Sequence, residues 1–204
     1  MRVIGLTGGI ACGKNLVARI LEKLGGVVID ADQLAREVVV RGEPAYKAIV
    51  NEFGEAVLNP DRTLDRKALA KIIFADPEAR RCLESITHPA IARRAEQKLA
   101  ELRKEGVRAV VYMAPLLIEA GVTSRVDEVW VVFADRETQV ARLMKRDGID
   151  RREALQRISA QMPMEEKRKH GKIVIDNRGT PEETERLVKE IWEREITRAG
   201  LKDD

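Results

Sequence analysis

Near its amino terminus the chain reads Gly8-Gly9-Ile10-Ala11-Cys12-Gly13-Lys14-Asn15, between an apolar run, Val3-Ile4-Gly5-Leu6, and an amphipathic segment that begins at Leu16. A strand, a glycine-rich turn and a helix in this order are the context in which the pattern G-x-x-x-x-G-K-[ST] forms a phosphate-binding loop. Backbone N–H groups in such a turn face one concavity, and the positive end of the following helix also favours anions. The segment therefore predicts a phosphate site, with the Lys14 ammonium near the outer phosphates.

Three positions of this loop have particular consequences. Asn15 stands where the pattern has Ser or Thr, and because its amide oxygen is a hard ligand suited to Mg²⁺, Asn15 is a candidate metal ligand. Ala11 is strained if the turn needs a positive φ there, because its methyl group disfavours left-handed backbone. Cys12 lies near a helix N-terminus and Lys14, a setting that lowers the pKa of a thiol. We expect modification of Cys12 to block nucleotide binding.

The composition indicates a soluble globular protein. Of the 204 residues, 44% are hydrophobic and 35% are charged, and the formal net charge is only +3. The signs alternate, as in Arg93-Arg94-Ala95-Glu96-Gln97-Lys98, which is typical of a solvated helix and not of a nucleic-acid surface. No apolar run approaches the roughly 18 to 20 residues that cross a bilayer. We expect a cytoplasmic protein with neither a membrane span nor a signal peptide.

Two carboxylates follow the second predicted strand, Val27-Val28-Ile29, in the sequence Asp30-Ala31-Asp32. Ligands of open parallel sheets bind outside the carboxyl ends of the strands, so we expect both side chains to face the same crevice as the phosphate loop. Alternation along an extended segment places Asp30 and Asp32 on one side. One carboxylate is then a candidate base toward a substrate hydroxyl, and the other a candidate Mg²⁺ ligand. The alternative is that Asp32 only caps a helix beginning at Gln33.

Residues 33–105 have an almost wholly helical pattern, with breaks expected at Gly42-Glu43-Pro44, Gly54, Asn59-Pro60-Asp61, Asp76-Pro77 and His88-Pro89. Such a length without a strand indicates an inserted helical subdomain that binds a second substrate. Arg36 lies one turn after Asp32 and is a candidate for an anionic group, although an exposed surface arginine fits the pattern too. His88 is a candidate for the same pocket, and a structural histidine is an equal alternative.

Three further strands complete a predicted α/β fold with five parallel strands: residues 107–112, 126–133 and 172–175. After the first of them, Ala114-Pro115-Leu116-Leu117-Ile118-Glu119 is apolar without periodicity, as expected for a wall against which a substrate lies. Its alternative is a buried loop. The last helix is predicted from Pro181 to about Ala199, followed by four residues that fray.

A basic stretch lies between the fourth and fifth strands. A helix over residues 136–147 carries Arg142, and the following segment, 148–170, carries Arg157 and Gln161. Beside a phosphate loop, such a segment is interpreted as a lid that brings guanidinium groups to a transferring phosphoryl group. A solvated helical hairpin is the alternative.

Taken in order, these motifs resemble those of the dephospho-CoA kinase family over essentially the whole chain. The resemblance is carried by the phosphate loop, Asp30-Ala31-Asp32, His88-Pro89-Ala90-Ile91, Ala114-Pro115-Leu116-Leu117-Ile118-Glu119, Arg157-Ile158-Ser159-Ala160-Gln161-Met162 and Val174-Ile175-Asp176-Asn177. It implies a P-loop kinase fold of three layers, with a core of residues 1–32, 106–147 and 171–204, a helical CoA-binding subdomain at 33–105 and a lid at 148–170. It also implies ATP-dependent phosphorylation of the ribose 3′-hydroxyl of dephospho-CoA. We expect Mg²⁺ as a cofactor and a monomer or weak homo-oligomer.

The resemblance assigns roles residue by residue. Asp32 is the implied base. The residues themselves make Lys14 the second candidate catalytic residue and Asn15 and Asp30 the candidate metal ligands. The candidates for binding ATP are Gly9, Ile10, Ala11, Cys12, Gly13, Lys14, Asn15, Leu16, Arg142 and Arg157. The candidates for binding the substrate are Asp32, Arg36, His88, Leu116 and Leu117.

The loop departs from the family pattern G-G-I-G-S-G-K-S/T at Ala11, Cys12 and Asn15, and Leu16 replaces a further hydroxyl residue. Gly171-Lys172 also stands where the family has Ala-Asp, and a change in contacts on the nucleotide side is expected there. Two alternatives stay open. One is a P-loop kinase for another nucleotide or nucleoside, and the other is a nucleotide- or CoA-binding protein with weak catalysis because of Asn15.

Overall fold

The computed structural model describes residues 1–198 and contains a five-stranded sheet with helices around it, which confirms the predicted α/β class. The strand order is β2-β3-β1-β4-β5, and the recorded pairings of β1 with β3 and β4, and of β4 with β5, are parallel. The strands are β1 (Arg2–Thr7), β2 (Val27–Asp30), β3 (Ala109–Met113), β4 (Glu128–Phe133) and β5 (Ile173–Asp176).

The central strands are apolar in nearly every position because both faces of a parallel sheet are covered. Every residue of β3 and β4 is buried, and Trp130 has no exposed surface. In the register of the sheet, Leu6 of β1 pairs with Met113 of β3 and with Trp130 of β4. The carboxyl ends of these strands therefore form one edge, and the segments that follow them start from that edge.

Nine α-helices are found among residues 1–198. They are α1 (Lys14–Lys23), α2 (Ala31–Glu37), α3 (Pro44–Phe53), α4 (Arg66–Ala75), α5 (Pro77–Lys104), α6 (Arg136–Asp147), α7 (Arg151–Ser159), α8 (Met164–Lys167) and α9 (Pro181–Trp192). Short 3₁₀ turns occupy Glu55–Val57, Thr123–Arg125 and Arg168–His170, and a π-helical turn, Glu193–Thr197, follows α9. The predicted helix end at Ala199 and the fraying residues 201–204 lie outside the described residues.

The chain separates into two compact units, Asp30–Glu105 and the remainder of the described chain. In the first, α5 packs against α2, α3 and α4, and the apolar core contains Ile49, Val57 and Leu69. The second contains the core of the sheet, with α1 packed against α9.

The expected helix break at His88-Pro89 is wrong, because α5 runs through Pro89 without interruption. Its start is well defined, with the Asp76 side chain accepting from the Glu78 N–H at 2.8 Å and Pro77 in the first turn. Pro89 removes the one helical hydrogen bond that would reach the Ser85 carbonyl. Both Ser85 and Pro89 are exposed, so water can solvate that carbonyl and the 28-residue helix continues.

The amino edge of the sheet contains a charged cluster around Glu128. The Glu128 carboxylate accepts from Arg2 at 2.7 Å and from the ammonium of Lys172, and the Trp130 indole N–H donates to it at 3.0 Å. The expectation that Gly171-Lys172 alters contacts on the nucleotide side is therefore wrong. Lys172 precedes β5 and lies at the edge opposite to the strand ends from which the phosphate loop starts.

Candidate active site

The predicted phosphate loop connects β1 to α1, as its sequence context requires. Gly13 directly precedes α1 and has a left-handed backbone with φ of 91°. A Cβ at this position would collide with the side-chain amide of Asn177, so only glycine fits here. Ala11 also has a positive φ, 59°, which confirms the predicted strain at this residue. Left-handed backbone costs an L-residue roughly 1–2 kcal/mol, and the loop retains it.

The first half of the loop is held by hydrogen bonds to Lys14, within the loop itself and to the 148–170 segment. The Lys14 ammonium donates to the Gly8 carbonyl at 2.7 Å, and the Cys12 N–H donates to the Gly9 carbonyl at 3.2 Å. The Ile10 N–H donates to Oε1 of Gln161 at 2.7 Å. The Gly9 N–H reaches Sδ of Met164 at 3.1 Å. These hydrogen bonds fix the conformation of the loop, and the 148–170 segment contributes two of them.

Arg142 on α6 brings a buried guanidinium nitrogen to the second half of the loop. Its Nη1 is the one buried side-chain nitrogen or oxygen in residues 1–198 that has no hydrogen-bond partner. A Cβ added to Gly13 would lie 4.0 Å from this nitrogen, so it is adjacent to the loop. A buried donor without a partner is costly, which makes Arg142 a strong candidate for binding a ligand that supplies the acceptor.

The expected activation of Cys12 is wrong. Its side chain has no exposed surface, and burial raises the pKa of the thiol above its ordinary value. Hydrogen bonds from the backbone near Ala134 and the charge of Lys14 act in the opposite direction but are smaller effects. Cys12 therefore remains a protonated, packed side chain.

The other candidates in the 148–170 region have different surroundings. Arg157 on α7 forms ion pairs with Asp147 and Glu153, both at 2.7 Å, so its guanidinium is directed at carboxylates of α6 and α7. The neighbouring Arg146, and then Arg157, lower the pKa of Asp147 below its usual range. Gln161, by contrast, contacts the loop itself.

The predicted apolar wall after β3 contains one residue of the buried core, Leu117, and one exposed residue, Leu116. Leu117 is completely buried, and a Cβ added to Gly5 would lie 2.6 Å from its Cδ2, so Leu117 packs on β1. Leu116 is 47% exposed and is the member of the pair that a ligand can reach in this structure.

The remaining candidates lie in the unit Asp30–Glu105. The expected extended alternation of Asp30 and Asp32 is wrong, because α2 begins at Ala31. Asp30 is the capping residue and accepts from the Asp32 N–H at 2.8 Å, whereas Asp32 itself is in the first helical turn. Asp32 and Arg36 are four residues apart on α2, on one face, and both are exposed. His88 is exposed on α5, without the helix break predicted beside it.

Besides Met164, sequence reasoning missed two residues that contact the loop. Gln139 donates from Nε2 to the Ile10 carbonyl at 2.8 Å, and Asn177 donates from Nδ2 to the Cys12 carbonyl at 2.7 Å. Each is only 3% exposed. A signal for Gln139 was available, because it occupies the same face of α6 as the buried Leu143, where an apolar residue is the rule.

Within residues 1–198, no group of three or more His, Cys, Asp or Glu side chains is arranged to hold a metal ion. None of the helices in that range combines the length and the apolar character needed to cross a membrane.

Comparisons with known proteins agree on one family. The family model described as CoaE, dephospho-CoA kinase, matches residues 2–183. The dephospho-CoA kinase of Geobacter sulfurreducens is 66% identical over 192 residues, which are 94% of this chain and 98% of that protein. Among solved structures, TT1252 from Thermus thermophilus has a TM-score of 0.82 and 38% identity, with 95% of this chain and 97% of that chain covered. The dephospho-CoA kinase from Campylobacter jejuni has a TM-score of 0.75 and 27% identity, covering 98% and 100%. This chain belongs to the dephospho-CoA kinase family.

Proposed function

We propose that this protein transfers the γ-phosphoryl group of ATP to the ribose 3′-hydroxyl of dephospho-CoA and so performs the last step of coenzyme A synthesis. One observation carries the proposal beyond family membership. The loop between β1 and α1 is already shaped, and a buried guanidinium nitrogen of Arg142 without a partner lies beside it. A nucleotide with a phosphate chain supplies acceptors for both.

The phosphates of ATP lie in the loop from Gly9 to Leu16, in contact with its backbone N–H groups and with those of the first turn of α1. Lys14 neutralises charge on the outer phosphates. Arg142 contacts the nucleotide, as the family resemblance implies. The 148–170 segment acts as a lid, and Arg157 exchanges its carboxylate partners for the phosphate chain when the lid closes.

Dephospho-CoA binds to the helical unit, with Arg36 and His88 toward its polar groups and Leu116 toward its apolar part. Asp32 acts as the base. The 3′-hydroxyl oxygen forms a bond to the γ-phosphorus while the bond from that phosphorus to the bridging oxygen of ADP breaks. The hydroxyl proton passes to the Asp32 carboxylate, and ADP leaves with the electron pair of the broken bond.

Mg²⁺ fits the donors that this chain offers. The exposed side chain of Asn15 in the first turn of α1 provides an amide oxygen, and Asp30 provides a carboxylate. Both are hard oxygen ligands, the type that Mg²⁺ prefers. When bound, the ion neutralises negative charge on the phosphate chain. We propose a cytoplasmic protein acting on small molecules, since the net charge of +3 with alternating signs favours neither a nucleic acid nor a membrane surface.

The test is incubation of the purified protein with ATP, Mg²⁺ and dephospho-CoA, with ADP and CoA followed by mass spectrometry. Asn15→Ser/Leu16→Thr and Asp32→Asn are assayed in parallel. We expect CoA from the unaltered chain and a turnover reduced by orders of magnitude in Asp32→Asn, with a modest change in KM. An unchanged rate in Asp32→Asn removes Asp32 as base.

Two other outcomes identify the alternatives. Activity only in Asn15→Ser/Leu16→Thr identifies a nucleotide-binding protein with weakened catalysis. If neither form produces CoA, a panel of nucleosides and nucleotides tests a kinase of another substrate.

A further inference from the structure

Within residues 9–13 of the phosphate loop, the backbone N–H groups fall into two classes. Those of Gly9, Ile10 and Cys12 donate to protein acceptors: a methionine sulfur, the Gln161 amide and the Gly9 carbonyl. Those of Ala11 and Gly13 donate to no protein acceptor within residues 1–198. Polar backbone groups are rarely left without a partner, so these two N–H groups are available to an anion.

Each of these two N–H groups belongs to a peptide whose carbonyl is held by a buried amide side chain. Gln139 donates to the Ile10 carbonyl at 2.8 Å, and Asn177 donates to the Cys12 carbonyl at 2.7 Å. In a planar trans peptide the C=O and the next N–H point in opposite directions. The amide of Gln139 therefore turns the Ala11 N–H away from itself, and the amide of Asn177 does the same for the Gly13 N–H.

Both amide side chains are fixed in this orientation. A backbone carbonyl is an acceptor only, so the NH₂ group of each amide must face the loop. At Asn177 the opposite oxygen accepts from the Thr184 hydroxyl at 2.7 Å, and Thr184 is 1% exposed. The Asn177 N–H itself donates to the Phe133 carbonyl at 2.9 Å. The two supports come from different elements, α6 and the turn after β5, yet they act on alternate peptides of one loop.

We propose that Gln139 and Asn177 are positioning residues that aim the Ala11 and Gly13 N–H groups at the phosphate chain of the nucleotide. This inference rests on the proposed function, because it assumes that a nucleotide occupies the loop. The positive φ values of Ala11 and Gly13, 59° and 91°, belong to the same arrangement, since alternating left-handed residues are what make successive N–H groups converge. Thr184 does not contact the loop in this arrangement but fixes the orientation of the Asn177 amide through its hydroxyl.

The experiment measures the affinities for ADP and adenosine by calorimetry in the full chain and in Gln139→Met, Asn177→Leu and Thr184→Val. Ile175→Val is the matched control, because Ile175 is also completely buried in the same unit but lies on β5, outside the loop contacts. Adenosine has the base and ribose but no phosphate. A variant that weakens only the phosphate contacts therefore loses affinity for ADP but not for adenosine, whereas a variant that disturbs the whole site loses affinity for both.

We expect ADP affinity to fall by about ten- to a hundredfold in Gln139→Met and Asn177→Leu, the range of a hydrogen bond to a charged group. Adenosine affinity should stay within about twofold, and Thr184→Val should lose less than Asn177→Leu. A fall of equal size for ADP and adenosine, or unchanged ADP affinity, overturns the inference. If Asn177→Leu does not fold, Thr184→Val decides for Asn177, because it removes only one hydroxyl, and Gln139→Met still tests Gln139.

Failure of the proposed function gives a different pattern. An unaltered chain that binds ADP tightly but forms no CoA contradicts the kinase assignment and leaves the inference about Gln139 and Asn177 in place. An unaltered chain that binds neither ADP nor ATP overturns both.

Discussion

Lys167 provides a quantitative test of how the 148–170 segment is attached to the sheet. Its side chain is completely buried, and its ammonium lies 2.8 Å from Oε1 of Glu119 and donates to the Pro115 carbonyl at 2.9 Å. Glu119 and Pro115 belong to the loop after β3. The perturbation is Lys167→Met, which keeps a long flexible side chain and removes the charge and the donors.

The expected cost follows from what the substitution leaves behind. Removing one partner of a buried ion pair costs about 3–5 kcal/mol when the other charge is fully buried. The Glu119 side chain is 22% exposed and still accepts from the Met162 N–H at 3.3 Å. The Pro115 carbonyl still accepts from the Thr7 hydroxyl at 3.1 Å. Because both partners of Lys167 keep another contact, we expect Lys167→Met to lower the free energy of unfolding by about 2–3 kcal/mol, which is at or below the bottom of that range.

Urea unfolding of the single variants Lys167→Met and Glu119→Gln, and of the double variant, measures this loss. The double variant leaves no unpaired carboxylate, so its cost should be smaller than the sum of the single costs by about 1–2 kcal/mol. Hydrogen exchange should show loss of protection in α8 before the central strands. A loss below about 0.5 kcal/mol in Lys167→Met, or strict additivity, would refute the reasoning, because Lys167 would then be replaceable by any apolar side chain.

Three further predictions concern the phosphate loop. Ala11→Gly should raise the free energy of unfolding by up to about 1 kcal/mol in urea titrations, because glycine accepts φ of 59° without the methyl clash and loses only part of that gain to unfolded-state entropy. In a Cys82→Ala background, Cys12 should react with a disulfide reagent at pH 8 far more slowly in the native protein than in urea, and fast native labelling would contradict its burial. Because folding raises the pKa of Cys12, its contribution to stability should be complete below about pH 8.5 and decline as the pH rises above that value, where only the unfolded thiol ionises. Urea midpoints from pH 7.5 to 9.5 should therefore fall less steeply in Cys12→Ala.

The sheet and the loop were predictable because their signals are local. Apolar runs such as those of β3 and β4 predict buried parallel strands, and the glycine and lysine spacing predicts the turn between β1 and α1. Even the strain at Ala11 follows from its place in that turn. The α6 boundaries, Arg136–Asp147, are as predicted, since the helix begins after a capping aspartate and ends at Gly148.

The supports of the loop were not predictable, because they join residues far apart in the chain. Gln161 and Met164 are more than 150 positions from the backbone groups that they contact, and no periodic pattern marks such a pair. The reversal at Cys12 has a related cause. Its neighbours in sequence suggested a low thiol pKa, but the packing of the folded loop excludes water, and that desolvation is the larger effect.

Local rules also compete, and the sequence does not say which one prevails. At Asp30-Ala31-Asp32, strand alternation and helix capping make different predictions for the same residues. Capping by Asp30 prevails, because its side chain satisfies an N–H that α2 would otherwise leave without a partner. At Pro89 the helix continues although proline usually ends a helix, because the Ser85 carbonyl that loses its hydrogen bond belongs to an exposed residue.

The way in which the 148–170 segment is fastened limits how far it can swing. At one end, Arg151 of α7 holds Glu137 of α6 through two hydrogen bonds of 2.8 and 2.9 Å. At the other, Gln161, Met164 and Lys167 are secured to the phosphate loop and to the loop after β3. Between these anchors lies α7, nine residues or about 14 Å long, and its Ala154 is buried against Val140 and Leu143 of α6. A swing of α7 away from α6 therefore has to separate this apolar contact as well as the Arg157–Asp147 ion pair.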